Sequence, residues 1–155
     1  MSLPLPDPTR CYPPRMQRKV DLHFDFPFPV ARVFADVSDH ENLGRILGAP
    51  MRHLKDGHGE GGKSGLGSVR GVGPALLGLE ETIVTFEKDR LIEYKVTQGP
   101  GVKNHLGRLT FSETQSGSHL HYVITFEPTI PGTGRLLQSV LSTSIGKGLR
   151  KYAER

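Results

Sequence analysis

At 155 residues the chain has the length of one domain and enough material for a real core. Twenty Lys and Arg against sixteen Asp and Glu leave a formal charge of +4, scattered among acids such as Glu80-Glu81 and Glu87-Lys88-Asp89-Arg90, so nothing indicates a nucleic-acid-binding stripe. The single cysteine, Cys11, excludes an internal disulfide framework or a cysteine metal cluster. No apolar run approaches the roughly 18 residues of a membrane span, and no signal-peptide stretch opens the chain, so a cytoplasmic protein is expected.

Residues 1–16, MSLPLPDPTRCYPPRM, carry five prolines and no periodicity, which predicts an extended leader ahead of one domain over 17–155. From 17 to 26 the pattern alternates. Val20, Leu22, Phe24 and Phe26 fall on one face and Lys19, Asp21, His23 and Asp25 on the other, as in a half-buried strand. Pro27 and Pro29 end it. Val30, Val33, Phe34 and Val37 then recur at helical spacing, and a second short helix is predicted over 41–47, with Asp39 as cap and Gly48 as stop.

Beyond residue 50 the patterning predicts six strands, over 51–56, 68–73, 79–87, 90–98, 104–113 and 119–128. Joints as short as Lys88-Asp89 make antiparallel hairpins, since parallel neighbours need long crossovers. Leu120, Tyr122, Ile124 and Phe126 form one apolar face, and Leu109 and Phe111 do the same in the preceding strand. The chain closes on 131–155, where Pro131-Gly132 breaks the last strand and Thr133 stands as a cap. Leu136, Leu137, Val140, Leu141, Ile145 and Leu149 line one side of a helix, with Gln138 on the other. About 20 helical residues span roughly 30 Å, so this stripe needs a broad surface to lie on. Gly146 and Gly148, poor helix formers, mark a bend or a close approach. The sum is an α+β fold with two layers, an antiparallel sheet covered by a helix.

The opening strand with FPFPVARVFADVSDHENL, the hairpin LEETIVTFEKDRLIEYKVTQG, the pair GRLTFSETQSGSHLHYVITFEP and the final helix together resemble the START-like (SRPBCC) superfamily. The resemblance covers roughly 20–154, and the polyketide cyclase/dehydrase and lipid-transport branch is most similar. It implies a helix-grip fold, with a seven-stranded antiparallel sheet curved around the long C-terminal helix, two short helices after the first strand, and a cavity between sheet and helix. Many relatives place a Trp after the first helices; this chain has none and offers Leu43, Ile46 and Leu47.

A curved sheet meets a straight helix at its ends more readily than at its middle, and an apolar pocket so left open is the usual small-molecule site. Tyr94, Leu109, Phe111, Tyr122, Ile124, Leu137, Val140 and Leu141 are expected to line it. A hydrophobic small molecule or lipid is the expected ligand, for binding or for transport. The alternative is cyclisation or dehydration of a polyketide-like substrate, which needs proton-moving groups and donors for an enolate oxygen. Tyr94 and Tyr122 are the candidate donors, with His53, His105, Glu81 and Arg108 as candidates if register turns them inward. A third reading is a protein-partner-binding domain that uses the outer sheet face or the basic end of the helix.

Three further motifs bear on function. Gly57 to Ser64, GHGEGGKS, satisfies the phosphate-loop pattern, but that loop needs a helix directly after it, and here Gly65, Gly67, Gly71, Gly73 and Pro74 follow. A flexible loop between two strands, resembling the Gly-rich loop of pollen-allergen-like members and able to gate the cavity mouth, is expected instead. His119 and His121 share a strand face, opposite the apolar one, and read as solvated surface groups; no metal site and no cofactor are expected. Ser139, Ser142 and Ser144 have no evident His partner and read as surface serines.

Overall fold

The structure is a computed structural model that describes residues 17–155; the Pro-rich leader and Cys11 lie outside the described residues. The alternating opening segment forms β1 (Arg18–Phe26), followed by helices α1 (Val30–Ser38) and α2 (His40–Leu47). Asp39 caps α2, its carboxylate accepting the Asn42 N–H at 2.8 Å. Gly48 ends the helix in the left-handed region, at φ 66°, where a residue without Cβ is favoured.

Then come β2 (Met51–Lys55), β3 (Val69–Val72), β4 (Glu80–Glu87), β5 (Leu91–Gln98), β6 (Val102–Thr114), β7 (Gly117–Pro128) and the terminal helix α3 (Gly134–Ala153). The seven strands make one antiparallel sheet in the order β1-β7-β6-β5-β4-β3-β2, so β1 and β2 are its edges. The helix-grip arrangement expected from the sequence is the one observed. Thr133 sits at the start of α3 but does not cap it; its hydroxyl donates to the Ile130 carbonyl at 2.7 Å.

The period-2 pattern turns Val20, Phe24, Phe26, Leu120, Ile124 and Phe126 inward, where Val33, Phe34 and Val37 of α1 meet them. Helix α3 is bolted down at its C-terminal half. Ile145 and Leu149 are buried, and the Tyr152 ring sits edge-on to Phe26 and Phe28 while its hydroxyl donates to Asp36 Oδ2 at 2.6 Å. Gly148 is needed for close approach, since a Cβ there would run into the Ile46 carbonyl at the end of α2.

The N-terminal half of α3 behaves differently. Leu136 and Val140 are 66% and 52% exposed, while Leu137 and Leu141 are only partly buried. Within the predicted stripe Leu137, Leu141, Ile145 and Leu149 therefore pack against the core, while Leu136 and Val140 stay largely exposed. Gln138, placed on the solvent side by the helical pattern, instead donates to the Lys19 carbonyl of β1 at 2.7 Å.

Candidate functional site

Where α3 leaves the middle of the sheet, a cavity of about 230 Å³ remains. Its apolar wall is Leu47, Ala49, Met51, Val72, Ile124, Val140, Leu141 and Ile145; its polar lining is Arg70, Glu81, Tyr94, His105, Tyr122 and Ser144. Exposed Val140 and Ser144 mark the mouth on the α3 side, facing the connection from α2 to β2.

Strand register assembles the polar floor. Arg70 of β3 lies directly opposite Glu81 of β4, and its Nε donates to Glu81 Oε2 at 2.8 Å, with Arg70 3% and Glu81 8% exposed. Such a pair, taken from water, holds only because each charge satisfies the other. Burial alone pulls the Arg70 pKa down, but the Glu81 charge, aided by the two tyrosines, outweighs it and raises the value. The guanidinium carbon also stands 4.7 Å from the centre of the Tyr94 ring.

Tyr94 of β5 and Tyr122 of β7 share a hydrogen bond between hydroxyls 2.5 Å apart. Burial pushes both phenols up, Tyr122 to about 12 and Tyr94 well above its ordinary value, so both stay protonated donors. The Tyr94 ring can reach across because its partner in the ladder is Gly107, where any Cβ would overlap the ring. The Val96 N–H donates to His105 Nδ1 at 3.1 Å, so the neutral His105 ring carries its proton on Nε2. Burial lowers the His105 pKa against the pull of Glu81, which keeps the ring neutral.

A second layer supports Arg70. One guanidinium nitrogen donates to His40 Nδ1 at 3.5 Å, and the neutral ring in turn donates from Nε2–H to Ser68 Oγ at 2.9 Å. Burial first, then the Arg70 and His53 charges, hold His40 down to about 4. Chemically the site offers donors. One tyrosine hydroxyl hydrogen remains beyond the shared bond, as does His105 Nε2–H, while the carboxylate is engaged by Arg70.

Of the residues expected at the cavity, Tyr94, Tyr122, Ile124, Val140, Leu141 and His105 line it. Leu109, Phe111 and Leu137 do not. Leu109 and Phe111 face inward but lie further along β6, where Phe111 packs edge-on against Phe34 at 5.0 Å, and Leu137 sits toward β1. Arg108 is also misplaced by the expectation; it points outward and pairs with Glu93 at 2.8 Å. His53 lies outside the lining, its Nε2 2.6 Å from Asp56 Oδ1. The sequence reading missed Arg70, Met51 and Val72, and listed Glu81 only conditionally.

The Gly-rich segment joins β2 to β3, but it holds 3-10 turns over Gly59–Ser64 and no helix follows. It packs at the far end, with Gly61 against the Phe86 ring, and so does not gate this cavity. On the outer sheet face β1 runs beside β7, which places His23 opposite His121 and Asp25 opposite His119.

A curved antiparallel sheet, a terminal helix and a lined hollow between them define a helix-grip protein. The chain belongs to the polyketide cyclase/dehydrase and lipid transport family, whose model matches residues 17–155. No curated protein matches the sequence. Among solved structures, a protein from Nitrosospira multiformis is 15% identical with a TM-score of 0.63, over 84% of this chain and 93% of that one. Ara h 8.0201 is 19% identical with a TM-score of 0.60, over 88% and 97%. A protein from Mesorhizobium loti is 12% identical with a TM-score of 0.64, over 88% and 95%. At such identities the likeness concerns fold. No described helix is long and apolar enough to cross a membrane.

Proposed function

We propose that this domain binds a small hydrophobic molecule or lipid whose apolar body lies against α3 and whose oxygen acceptor, a carbonyl or carboxylate, meets the tyrosine pair and His105. The observation that carries this reading is the donor-rich floor beneath an apolar wall in a hollow of about 230 Å³. That volume lies below the roughly 300–1,000 Å³ of drug-sized sites, which favours a single ring or short chain, or part of a longer one projecting past Val140.

The test is thermal-shift screening with native mass spectrometry against fatty acids, aromatic ketones and matched hydrocarbons. At a ligand concentration a hundredfold above Kd the gain is about 2.7 kcal/mol, a rise of roughly 5–10 °C for a chain of this size. Oxygenated compounds should produce it, and hydrocarbons of the same shape should not. A Leu141→Trp variant should abolish it. A protein unresponsive to the whole panel would overturn the reading.

The hydroxyl pair beside Arg70 and Glu81 favours a second reading, a cyclase/dehydrase-type enzyme in which Tyr94 or Tyr122 donates to an enolate oxygen. Turnover of a β-hydroxyketone that is lost in Tyr94→Phe and Tyr122→Phe, with binding retained, would select it. A partner-binding domain using the outer sheet face or the basic end of α3 would be favoured by a filled interior together with a large exposed apolar patch, and the hollow argues against the first of these.

A further inference from the structure

On the sheet face away from α3, three histidines and two aspartates of β1 and β7 meet. The rings of His23 and His121 stack, with centroids 4.1 Å apart and planes 10° from parallel. Asp21 Oδ1 stands 2.7 Å from His121 Nε2 and 3.5 Å from His23 Nε2. Donor atoms of these three residues all lie within 4.8 Å of one another. Around a tetrahedral ion with bonds of about 2.1 Å, ligand atoms sit roughly 3.4 Å apart, so small side-chain rotations close the set. We propose that Asp21, His23 and His121 form a site for a divalent transition-metal ion of the zinc class, clamping edge strand β1 onto β7.

An independent feature supports it. His119 Nδ1 lies 2.7 Å from Asp25 Oδ1, and His119 Nε2 lies 3.0 Å from His23 Nδ1. A carboxylate only accepts, so in the neutral rings His119 donates from Nδ1 and accepts on Nε2 from His23 Nδ1–H. That leaves His23 Nε2 as a bare lone pair facing the Asp21 carboxylate. Two acceptors so placed repel unless a proton on His23 Nε2 or a metal ion lies between them, and the metal titration distinguishes the two. A ligating imidazole whose other nitrogen donates to a fixed partner is also the arrangement that orients metal-bound histidines.

Neighbouring cations oppose the ion. Lys19 Nζ lies 3.0 Å from Asp21 Oδ2 and resists a second positive charge there, and His121, whose Nε2 now donates to Asp21, ligates as the tautomer that carries its proton on Nδ1, exchanged through solvent, so that Asp21 stays a carboxylate. Arg108, which borders the same shallow hollow, is already drawn to Glu93 at 2.8 Å. Two imidazoles with one carboxylate, and coordination positions open to water, suit Zn²⁺, Co²⁺ or Ni²⁺; Mg²⁺ and Ca²⁺ prefer all-oxygen sites. The sequence reading expected no metal site, and this proposal departs from it. Spacing along one strand supplied only His119 and His121, and the pairing of β1 with β7 brings in His23.

The experiment titrates Zn²⁺ by calorimetry and Co²⁺ by visible absorption into the full chain carrying Cys11→Ser, which removes thiol binding. The expected result is one ion per chain, a melting temperature that rises with Zn²⁺ and not with Mg²⁺, and at least about a tenfold loss of affinity in each of His23→Asn and His121→Asn. Loss of the orienting partner in His119→Asn should cost about tenfold as well. These exposed variants should melt like the parent in EDTA, which separates lost ligation from lost folding. No Zn²⁺ uptake up to millimolar concentration, or equal uptake by the His23→Asn/His121→Asn double variant, would overturn the proposal.

Discussion

The Tyr94 ring occupies the space that a side chain on Gly107 would fill, directly across the β5–β6 ladder. Gly107→Ala must therefore displace the ring or bend β6, and overpacking of this kind costs about 1–3 kcal/mol. Tyr94→Leu should recover part of that loss in the Gly107→Ala background, because a smaller side chain vacates the overlap. Chemical denaturation of the four proteins measures the coupling. Additive effects would show that the ring and the missing Cβ do not compete.

Arg70 and Glu81 hold each other in the cavity floor. Glu81→Gln leaves a buried guanidinium without its counter-charge and should destabilise by about 3–5 kcal/mol. Replacing both, as Arg70→Met with Glu81→Leu, should cost clearly less than the sum of the single changes. Urea melts read the difference directly, and a double variant as unstable as that sum would refute the pairing as the main role of either residue.

His40 provides the acid sensitivity. Its imidazole titrates near 6.5 when unfolded and is held to about 4 in the folded chain, by burial and then by Arg70 and His53, with Lys63 adding to this and Asp39 opposing it. Between those values the unfolded chain binds more protons, so this contribution is complete above about pH 6.5 and is lost as pH falls toward 4. The amount is roughly 2–3 kcal/mol. Comparing stability at about pH 7.5 and about pH 4.5, the parent should lose more than His40→Gln. Equal losses would mean that His40 is not the group responsible.

What could be read in advance follows from which physical signal fixes it. Alternation at period 2 placed Tyr94, Tyr122 and Ile124 inward, and the same parity along β6 turns His105 and Gly107 inward with Leu109. By the same parity Arg108 faces outward, so the register condition on its candidacy is not met. Position along the strand is a different matter. Leu109 and Phe111 have the correct face, yet the crossing of α3 decides which end of a strand meets the hollow, and no local pattern encodes that crossing.

Arg70 escaped notice for a third reason. β3 (Val69–Val72) is only four residues long, with Ser68 and Gly71 buried beside it, so there is too little alternation to assign a face. Only its pairing with Glu81 explains a cation in the interior. The stripe on α3 was over-read because helical spacing reports which residues share a side, not whether anything packs against them. Gly148 was legible as a close approach but not its object, the Ile46 carbonyl.

The two halves of α3 are held differently. Ile145 to Tyr152 are anchored in the core, whereas the turn holding Val140 and Leu141 borders the opening with little behind it. On the proposed binding role, the turn at Val140 and Leu141 would govern admission of a guest, and the tyrosines and His105 of the sheet its retention. Substitutions at 140 would retune the size of molecule let through while the hydrogen-bonding grip below stays as it is, a modular route to new selectivity within an unchanged frame.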